Sequence, residues 1–432
     1  MPIRSFILFF LFQITSAQEF SFVGEVYSNK QPLEGVSVIL KGSKLGTITN
    51  SKGQFKLNFT NLKNPRLIFS HIGYKPIEIK IKSNNLNLGT IILESDDRLD
   101  EVVVSGTLKP VSRLDSSIPV EVYARTFFKA NPTASIFEAL ENINGIRPQL
   151  NCNVCNTGDI HINGQEGSYT MVLIDGLPIV SGLSTVYGLS GIPKSLIERV
   201  EIIKGPASTL YGSEAIGGVI NLITRLPENT SKFSVDSFLS GWGEVNTDIG
   251  YKYNLTSNNS GLLGINYFNY SNPIDNNQDG FTDLTLQDRI SIFNKLTLGK
   301  QFSVATRFVY EDRWGGQMNW SPEYRGGDIL YGESIYTSRW EAFGVYQLPL
   351  KEKVNFSFSA NGHDQNSVYG DTWYIGKQSV MFGQLTWFKR LDKHDITSGV
   401  AYRYTYYDDN SMVTIEPNEI NLPGVFVQDQ IK

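Results

Sequence analysis

Two cysteines lie close together in the chain, and a histidine follows them. Cys152 and Cys155 are separated by two residues, and His161 comes shortly afterwards. Cysteine and histidine are ligands of soft metals and of haem iron, although two cysteines and one histidine are too few for a closed structural zinc site. The pattern predicts either a small disulfide that braces a loop or a soft-metal contact.

A second candidate for metal chemistry is an acidic loop at residues 275–283. Its oxygen-bearing side chains alternate along the chain, with a glycine after the third: Asp275, Asn277, Asp279, Gly280 and Asp283. This pattern suits a sharp turn around calcium, although aspartate stands in place of the distal glutamate of an EF-hand. Calcium is therefore the candidate cofactor, and a solvated acidic loop is the alternative.

A third candidate is an aromatic stretch that contains Trp314, Gln317 and Trp320. Exposed aromatic side chains with polar neighbours often contact ligands. Tryptophans also form the girdle of a membrane barrel, so both interpretations remain open.

The chain lacks the usual sequence patterns of enzymes. It has four histidines, and none is followed three positions later by the glutamate of a zinc peptidase. No Gly-x-Ser-x-Gly elbow or phosphate-binding loop is present. We therefore expect a protein that is not an enzyme.

Composition indicates strands and excludes one class of partner. The formal net charge is -5, which argues against nucleic-acid binding. Aromatic residues make up 12% of the chain, and aromatic side chains suit a pleated surface. No run of 18 apolar residues could form a membrane-spanning helix.

The N-terminus has the pattern of an export signal. Arg4 precedes an apolar stretch at 6–12, and the small residues Thr15, Ser16 and Ala17 precede Gln18. A short buried helix is the alternative. Export places the mature chain in an oxidising compartment, which favours the disulfide between the two cysteines.

Residues 18–95 have the pattern of short strands with turns between them. Val36, Val38 and Leu40 alternate with small or polar residues, as in half-buried strands, and we expect a small antiparallel β-sandwich. In the segments at 32–36, 46–50, 53–55 and 72–74, the stretch resembles the carboxypeptidase regulatory-like domain, an accessory domain that many Bacteroidetes outer-membrane receptors carry.

Residues 113–226 mix helix and strand. A helix is predicted from Pro132 to Ile143, ended by Gly145, and a buried strand at 171–174. The stretch at 197–224 closely resembles the plug-domain signature of TonB-dependent outer-membrane receptors. The resemblance implies an α+β plug domain inside a barrel.

From residue 227 the alternation has a period of two, and we count about ten long strands. Short turns alternate with longer connections, expected at 272–284, 313–335 and 365–376, as in an antiparallel transmembrane β-barrel. Plugged barrels have around 22 strands. We therefore expect the first ~10 strands of an incomplete barrel within a mainly β protein.

The linker at 96–112 contains a segment for which no partner strand is evident. On the resemblance, it looks like a TonB box: Asp100, Glu101, Val102, Val103, Val104 and Ser105. Such a segment can add as a strand to a periplasmic partner. A plain strand of the preceding sandwich is the alternative.

The resemblance implies energy-coupled import of a scarce ligand such as a ferric siderophore, haem or cobalamin. The partners would be TonB with its inner-membrane motor proteins, outer-membrane lipid, and a small-molecule or metal-chelate ligand. The expected location is the outer membrane, with the N-terminal domain in the periplasm and residues 1–17 removed. The alternatives are a polysaccharide-uptake channel or surface-binding receptor with a lipoprotein partner, and a signal-transducing receptor.

Overall fold

The computed structural model describes residues 19–28, 31–43, 45–60, 65–71, 74–81, 87–94, 102–133, 135–152, 157–178, 189 and 191–431. They belong to two compact units, one ending at Glu101 and the other running from Val102 to Lys432. Among these residues, no helix has the length and apolar character needed to cross a membrane.

The first unit is a β-sandwich of two four-stranded sheets. Its strands are β1 (Glu19–Ser28), β2 (Gln31–Pro32), β3 (Ser37–Leu40), β4 (Gly46–Ile48), β5 (Gln54–Thr60), β6 (Arg66–Ser70), β7 (Ile77–Lys80) and β8 (Asn87–Ile92). One sheet has the order β4-β3-β6-β7, and the other joins β2, β5 and β8 to β1.

Alternation places one face of each sheet in the shared core of this sandwich. Val38 and Leu40 are buried, whereas Ile39 between them is 40% exposed. Phe55 of one sheet meets Phe69 of the other edge to face, with ring centroids 5.4 Å apart. The predicted sandwich is confirmed, except that β8 runs parallel to β1.

The second unit begins with a mixed domain, which we call the central domain (residues 102–229). Its strands are β9 (Val102–Val103), β10 (Val111–Ser112), β11 (Glu121–Ala124), β12 (Ile146–Cys152), β13 (Thr157–Ile162), β14 (Thr170–Ile174), β15 (Leu177–Pro178), β16 (Ile197–Ile203) and β17 (Gly218–Thr224). Its α-helices are α1 (Arg125–Ala130), α2 (Ile136–Ala139) and α3 (Ser208–Tyr211). Short 3-10 helices lie at Arg113–Asp115, Leu140–Asn142, Gly167–Tyr169, Lys194–Leu196, Ser213–Ala215 and Pro227–Asn229.

A five-stranded sheet of order β11-β16-β17-β14-β15 forms the middle of this domain. All five residues of β14 are buried, as expected for a strand covered on both faces. The helix predicted from Pro132 is shorter than expected. It begins after Ser135, whose hydroxyl caps it by accepting the amide hydrogen of Glu138, and it continues as a 3-10 turn.

The rest of the unit is one antiparallel sheet of ten strands in sequence order, as the alternation predicted. The strands are β18 (Phe233–Leu239), β19 (Val245–Thr256), β20 (Asn259–Tyr270), β21 (Leu286–Leu298), β22 (Phe302–Gly316), β23 (Gly332–Gln347), β24 (Lys353–Tyr369), β25 (Thr372–Leu391), β26 (His394–Asp409) and β27 (Asn418–Ile431). A 3-10 turn lies at Pro322–Tyr324.

The two faces of the ten-stranded sheet differ. Phe293 and Phe343 lie on the inner face, where they join the core of the central domain. Their strand neighbours point the other way, and Ile292 and Trp340 are 42% and 47% exposed. The sheet therefore packs around the central domain with its inner face and presents apolar side chains outward, as a membrane barrel requires.

The connections alternate in length with two exceptions, the short ones at 240–244 and 370–371. At one end of the sheet the chain turns within 257–258, 299–301, 348–352 and 392–393, and at the other end long connections span 271–285 and 317–331. The prediction of a long loop at 365–376 is wrong. Those residues extend β24 and β25, which meet in a tight turn where Gly370 has a positive φ of 64°.

Candidate functional site

The segment at 102–105 has a partner strand, contrary to the expectation from the sequence. Val103 pairs with Val111 and Val102 pairs with Ser112 in a two-residue antiparallel ladder. Val103 is fully buried, whereas Val102 is 45% exposed. The pairing was missed because the chain turns back within a few residues. Asp100 and Glu101 lie outside the described residues.

A single buried carboxylate holds the end of this segment. Glu201 on β16 accepts the backbone amides of Val104 and Ser105, each at 2.9 Å, and the hydroxyl of Ser105 at 2.6 Å, all at Oε2. Its other oxygen accepts two bonds from Arg199, at 2.9 and 2.7 Å. The carboxylate is thus desolvated but fully hydrogen-bonded, which its burial requires.

Two further side chains complete the network around Ser105. The Asn221 amide donates to its hydroxyl at 2.9 Å, and the Tyr211 hydroxyl donates to its carbonyl at 2.9 Å. Burial, together with the charge of Glu201, raises the pKa of Tyr211. The phenol therefore stays protonated and remains a donor.

These contacts have a chemical consequence for the segment. The segment is held by a two-residue strand ladder, by the packing of Val103 against apolar side chains of the five-stranded sheet, and by one polar cluster. Once detached, its backbone donors and acceptors are open to pairing with another strand. We call this cluster of Ser105, Glu201, Asn221 and Tyr211 the docking cluster.

Ion pairs join the central domain to the inner face of the ten-stranded sheet. Lys295 on β21 donates to Asp175 at 2.8 Å and to the Thr224 hydroxyl at 2.7 Å. Arg403 on β26 pairs with both carboxylate oxygens of Glu214. These bonds fix the central domain to strands that are far apart in the sheet.

A third ion pair lies beside the 102–105 segment. Lys109, in the turn between β9 and β10, contacts Asp395 at the start of β26 at 2.6 Å. Asp395 also accepts Arg390 at 3.0 Å. The turn that follows the 102–105 segment is therefore tied to the ten-stranded sheet.

The cysteine prediction falls partly outside the described residues. Cys155 and the side chain of Cys152 are not described, so the disulfide stays a prediction. His161 on β13 contacts Asp159 through Nε2 at 2.8 Å. This bond fixes the imidazole on its own strand.

The acidic loop is held by its own backbone. Asp275 accepts the amides of Asp279 and Gly280, at 3.1 and 2.9 Å, and Asp283 accepts the amide of Asn276 at 2.7 Å. Across the described residues, no group of three or more His, Cys, Asp or Glu is placed to hold a metal. Calcium binding by this loop, including Asn277, therefore remains a prediction.

The three aromatic-loop candidates lie together but are less exposed than expected. The rings of Trp314 and Trp320 are 4.9 Å apart, and Trp320 is only 4% exposed. The backbone amide of Gln317 donates to the Tyr331 carbonyl, and the side-chain oxygen of Gln317 accepts the Tyr331 amide, so the two residues close the loop. Both tryptophans line a cavity of about 340 Å³ together with Asp288. A small ligand could be held there.

Sequence reasoning missed the docking cluster. Glu201, Tyr211 and Asn221 all lie within the motif at 197–224, yet nothing in their spacing indicates a shared contact with Ser105. Charged and amide side chains inside otherwise apolar β16 and β17 were the available signal, since buried polar groups need partners.

Comparison with known families supports this architecture. Residues 112–219 match the TonB-dependent Receptor Plug Domain, and residues 22–104 match the CarboxypepD_reg-like domain. The plug-domain family and the matching solved structures are receptors rather than enzymes.

Solved structures with a similar fold are receptors for siderophores. One is Pseudomonas aeruginosa FpvA bound to a heterologous pyoverdine–iron complex, with 14% identity, a TM-score of 0.57, and coverage of 79% of this chain and 54% of that one. Another is the siderophore receptor PiuA from Acinetobacter baumannii, with 13% identity, a TM-score of 0.55, and coverage of 76% and 57%. A third is the siderophore receptor PirA from Pseudomonas aeruginosa, with 16% identity, a TM-score of 0.53, and coverage of 72% and 53%. The chain spans about half the length of these structures.

Proposed function

We propose that the chain is a TonB-dependent receptor that takes part in energy-coupled import of a scarce ligand across the outer membrane, and its plug-domain match and its fold support this proposal. A ferric siderophore is the cargo named for the structures of similar fold. The 102–105 segment serves as the TonB box, and the N-terminal sandwich lies in the periplasm.

The observation that carries the proposal is the way the 102–105 segment is held. It opens the unit that contains the plug domain, its only ladder in the described chain is two residues long, and the docking cluster binds mainly its backbone. A partner that adds a strand also binds backbone. Binding of the segment to the docking cluster and strand pairing with a partner would thus compete for the same backbone groups. The segment can therefore switch between the two bound states.

The test is uptake of radiolabelled ferric siderophore by a strain that lacks the native receptor and carries variants of it. Val103→Pro removes a backbone donor from the segment that the partner must pair with. We expect uptake to fall to background while binding at the cell surface persists. Unchanged uptake in this variant would overturn the proposal.

A matched control variant distinguishes the loss of strand pairing with the partner from the loss of the ladder between β9 and β10. Val111→Pro breaks the same two-residue ladder from its other strand but leaves the backbone of residues 102–105 intact. We expect it to retain uptake. If both variants lose uptake and surface abundance together, the defect is in folding, and the TonB-box assignment loses its support.

A further inference from the structure

The loop at 317–331 covers part of the outward face of the ten-stranded sheet. On β23 this face contains Trp340, which is 47% exposed, and by the period of two it also contains Ser334. Ser334 is nevertheless only 1% exposed, and Val368, its partner on β24, is fully buried. Arg325 of the loop donates to the Ser334 hydroxyl at 3.1 Å. The loop therefore folds back over the side of the sheet that faces away from the central domain.

The cavity of about 340 Å³ lies beneath this loop, and we call it the outward cavity. Aromatic rings form much of its wall: Trp314 of β22, Trp320 of the loop and Tyr336 of β23. Trp320 rests on Gly332, where an added Cβ would lie 2.5 Å from the indole ring. Glycine at this position therefore leaves the space in which the ring packs.

Two carboxylates line the outward cavity. Asp288 on β21 and Asp312 on β22 are paired directly in the strand register. They lie two residues from Ile290 and Tyr310, which are 40% and 42% exposed, so both carboxylates belong to the outward face. Like charges directly opposite each other in a sheet are destabilising. A cation held in the cavity would remove that cost.

The neighbouring side chains leave this pair of charges only partly balanced. Asp288 accepts the hydroxyl of Tyr267 and the amide of Asn269, each at 2.9 Å, and both donors are neutral. Within the described chain, the Asp312 carboxylate has no hydrogen bond or ion pair. Arg325 lies near Asp312, but its guanidinium donates to a hydroxyl and an amide of the sheet instead. Two negative charges thus face one positive charge.

A buried hydroxyl lines the same cavity. Tyr270 is 2% exposed, and among the residues that the structure describes its hydroxyl has no hydrogen-bond partner. Buried polar groups are nearly always paired, so an unpaired one beside a cavity indicates contact with a bound molecule. A phenol oxygen can accept a hydrogen bond as well as donate one.

From this juxtaposition we propose that the outward cavity is a binding site for an organic cation with an ammonium group. Aromatic faces attract ammonium groups, and proteins recognise quaternary ammonium ligands in this way. Asp288 and Asp312 supply the opposite charge. Calcium takes oxygen ligands, so a bare ion would leave the aromatic wall unused. The proposal goes beyond the import function, because the site lies on the side of the sheet that faces away from the central domain.

The probe is choline, compared with its neutral isostere, in which a tert-butyl group replaces the trimethylammonium group. Binding of each compound to the purified full receptor in a maltoside detergent is measured by saturation-transfer NMR. We expect choline to bind about tenfold more tightly, because the two compounds share a shape and differ in charge.

Asp312→Asn is the informative variant, because the amide keeps the shape of a side chain that has no bonded partner in the described chain. We expect the affinity for choline to fall about tenfold and that for the isostere to stay unchanged. Asp408→Asn is the matched control. By the period of two from Tyr402, which is 50% exposed, Asp408 lies on the outward face of β26, four strands and about 19 Å from β22. It should leave both affinities unchanged.

A second arm identifies the source of the ammonium group. Choline binding is measured with the receptor in nanodiscs of phosphatidylglycerol and in nanodiscs of phosphatidylcholine. Weaker binding in the phosphatidylcholine discs supports the site and assigns it to lipid headgroups. Equal binding in both discs supports the site and assigns it to a free small molecule.

The remaining outcomes overturn the proposal. Equal affinity of the wild type for choline and its isostere excludes a cation site, and so does an equal loss of choline binding in Asp312→Asn and Asp408→Asn. Calcium binding without choline binding overturns the assignment to an ammonium group. Each of these results leaves the import function standing, because uptake is measured separately.

Discussion

Ser105→Ala should detach the 102–105 segment from the docking cluster more often. The hydroxyl is fully buried, donates to Glu201 and accepts from Asn221. A hydrogen bond to a charged group contributes about 1.5–3 kcal/mol, and alanine also leaves the Asn221 amide without this acceptor. A loss of about 2–3 kcal/mol raises the detached fraction about 30-fold to 150-fold, since about 1.4 kcal/mol is a factor of ten.

Hydrogen exchange of the Val104 and residue 105 amides measures this fraction directly. Both amides donate to Glu201 at 2.9 Å, so they exchange only when the segment opens. We expect exchange of these two amides to be about 30-fold to 150-fold faster in Ser105→Ala than in the wild type. Thr107→Val is the control, because the Thr107 hydroxyl donates to the Lys109 carbonyl in the turn that follows the segment and does not contact the docking cluster.

Equal exchange rates in wild type and Ser105→Ala would refute the reasoning, because the cluster would then not hold the segment. The same variant should bind a soluble TonB fragment more tightly, since apparent affinity scales with the competent fraction. Faster amide exchange without tighter binding of the TonB fragment would show that the docking cluster holds the segment but does not control binding to the partner.

Two further predictions concern the sites that the sequence singled out. Cys152 and Cys155 should resist alkylation in the mature protein and become reactive after reduction, as mass spectrometry would show; free alkylation without reductant would favour the soft-metal contact. Calcium should slow proteolytic cleavage of the 275–283 loop at millimolar concentration, and Asp279→Ala should abolish that protection. Identical cleavage with calcium and with chelator would leave an ordinary acidic loop.

The strands were predictable because alternation is a local property. In the ten-stranded sheet each residue's face follows from its position along its own strand, and the period of two gave the number of strands. The error at 365–376 has the same origin. Gln365 and Ser367 are polar, yet both are buried on the inner face of β24. A run of polar residues therefore does not mark the end of a strand when the inner face of the sheet is itself polar.

The docking cluster could not be predicted, because its contacts are long-range. Ser105 and Glu201 are separated by 96 residues, and Ser105 and Asn221 by 116. Their meeting depends on the order of β16 and β17 in the five-stranded sheet, which no local pattern gives.

Cross-linking in living cells tests the central claim most directly. Val102 is 45% exposed, so a photo-crosslinking amino acid can replace it without filling the core. The account predicts a cross-link between this position and TonB that grows when ligand is added and grows further in the Ser105→Ala background. A cross-link confined to the receptor itself, with ligand present and TonB at normal levels, would contradict it.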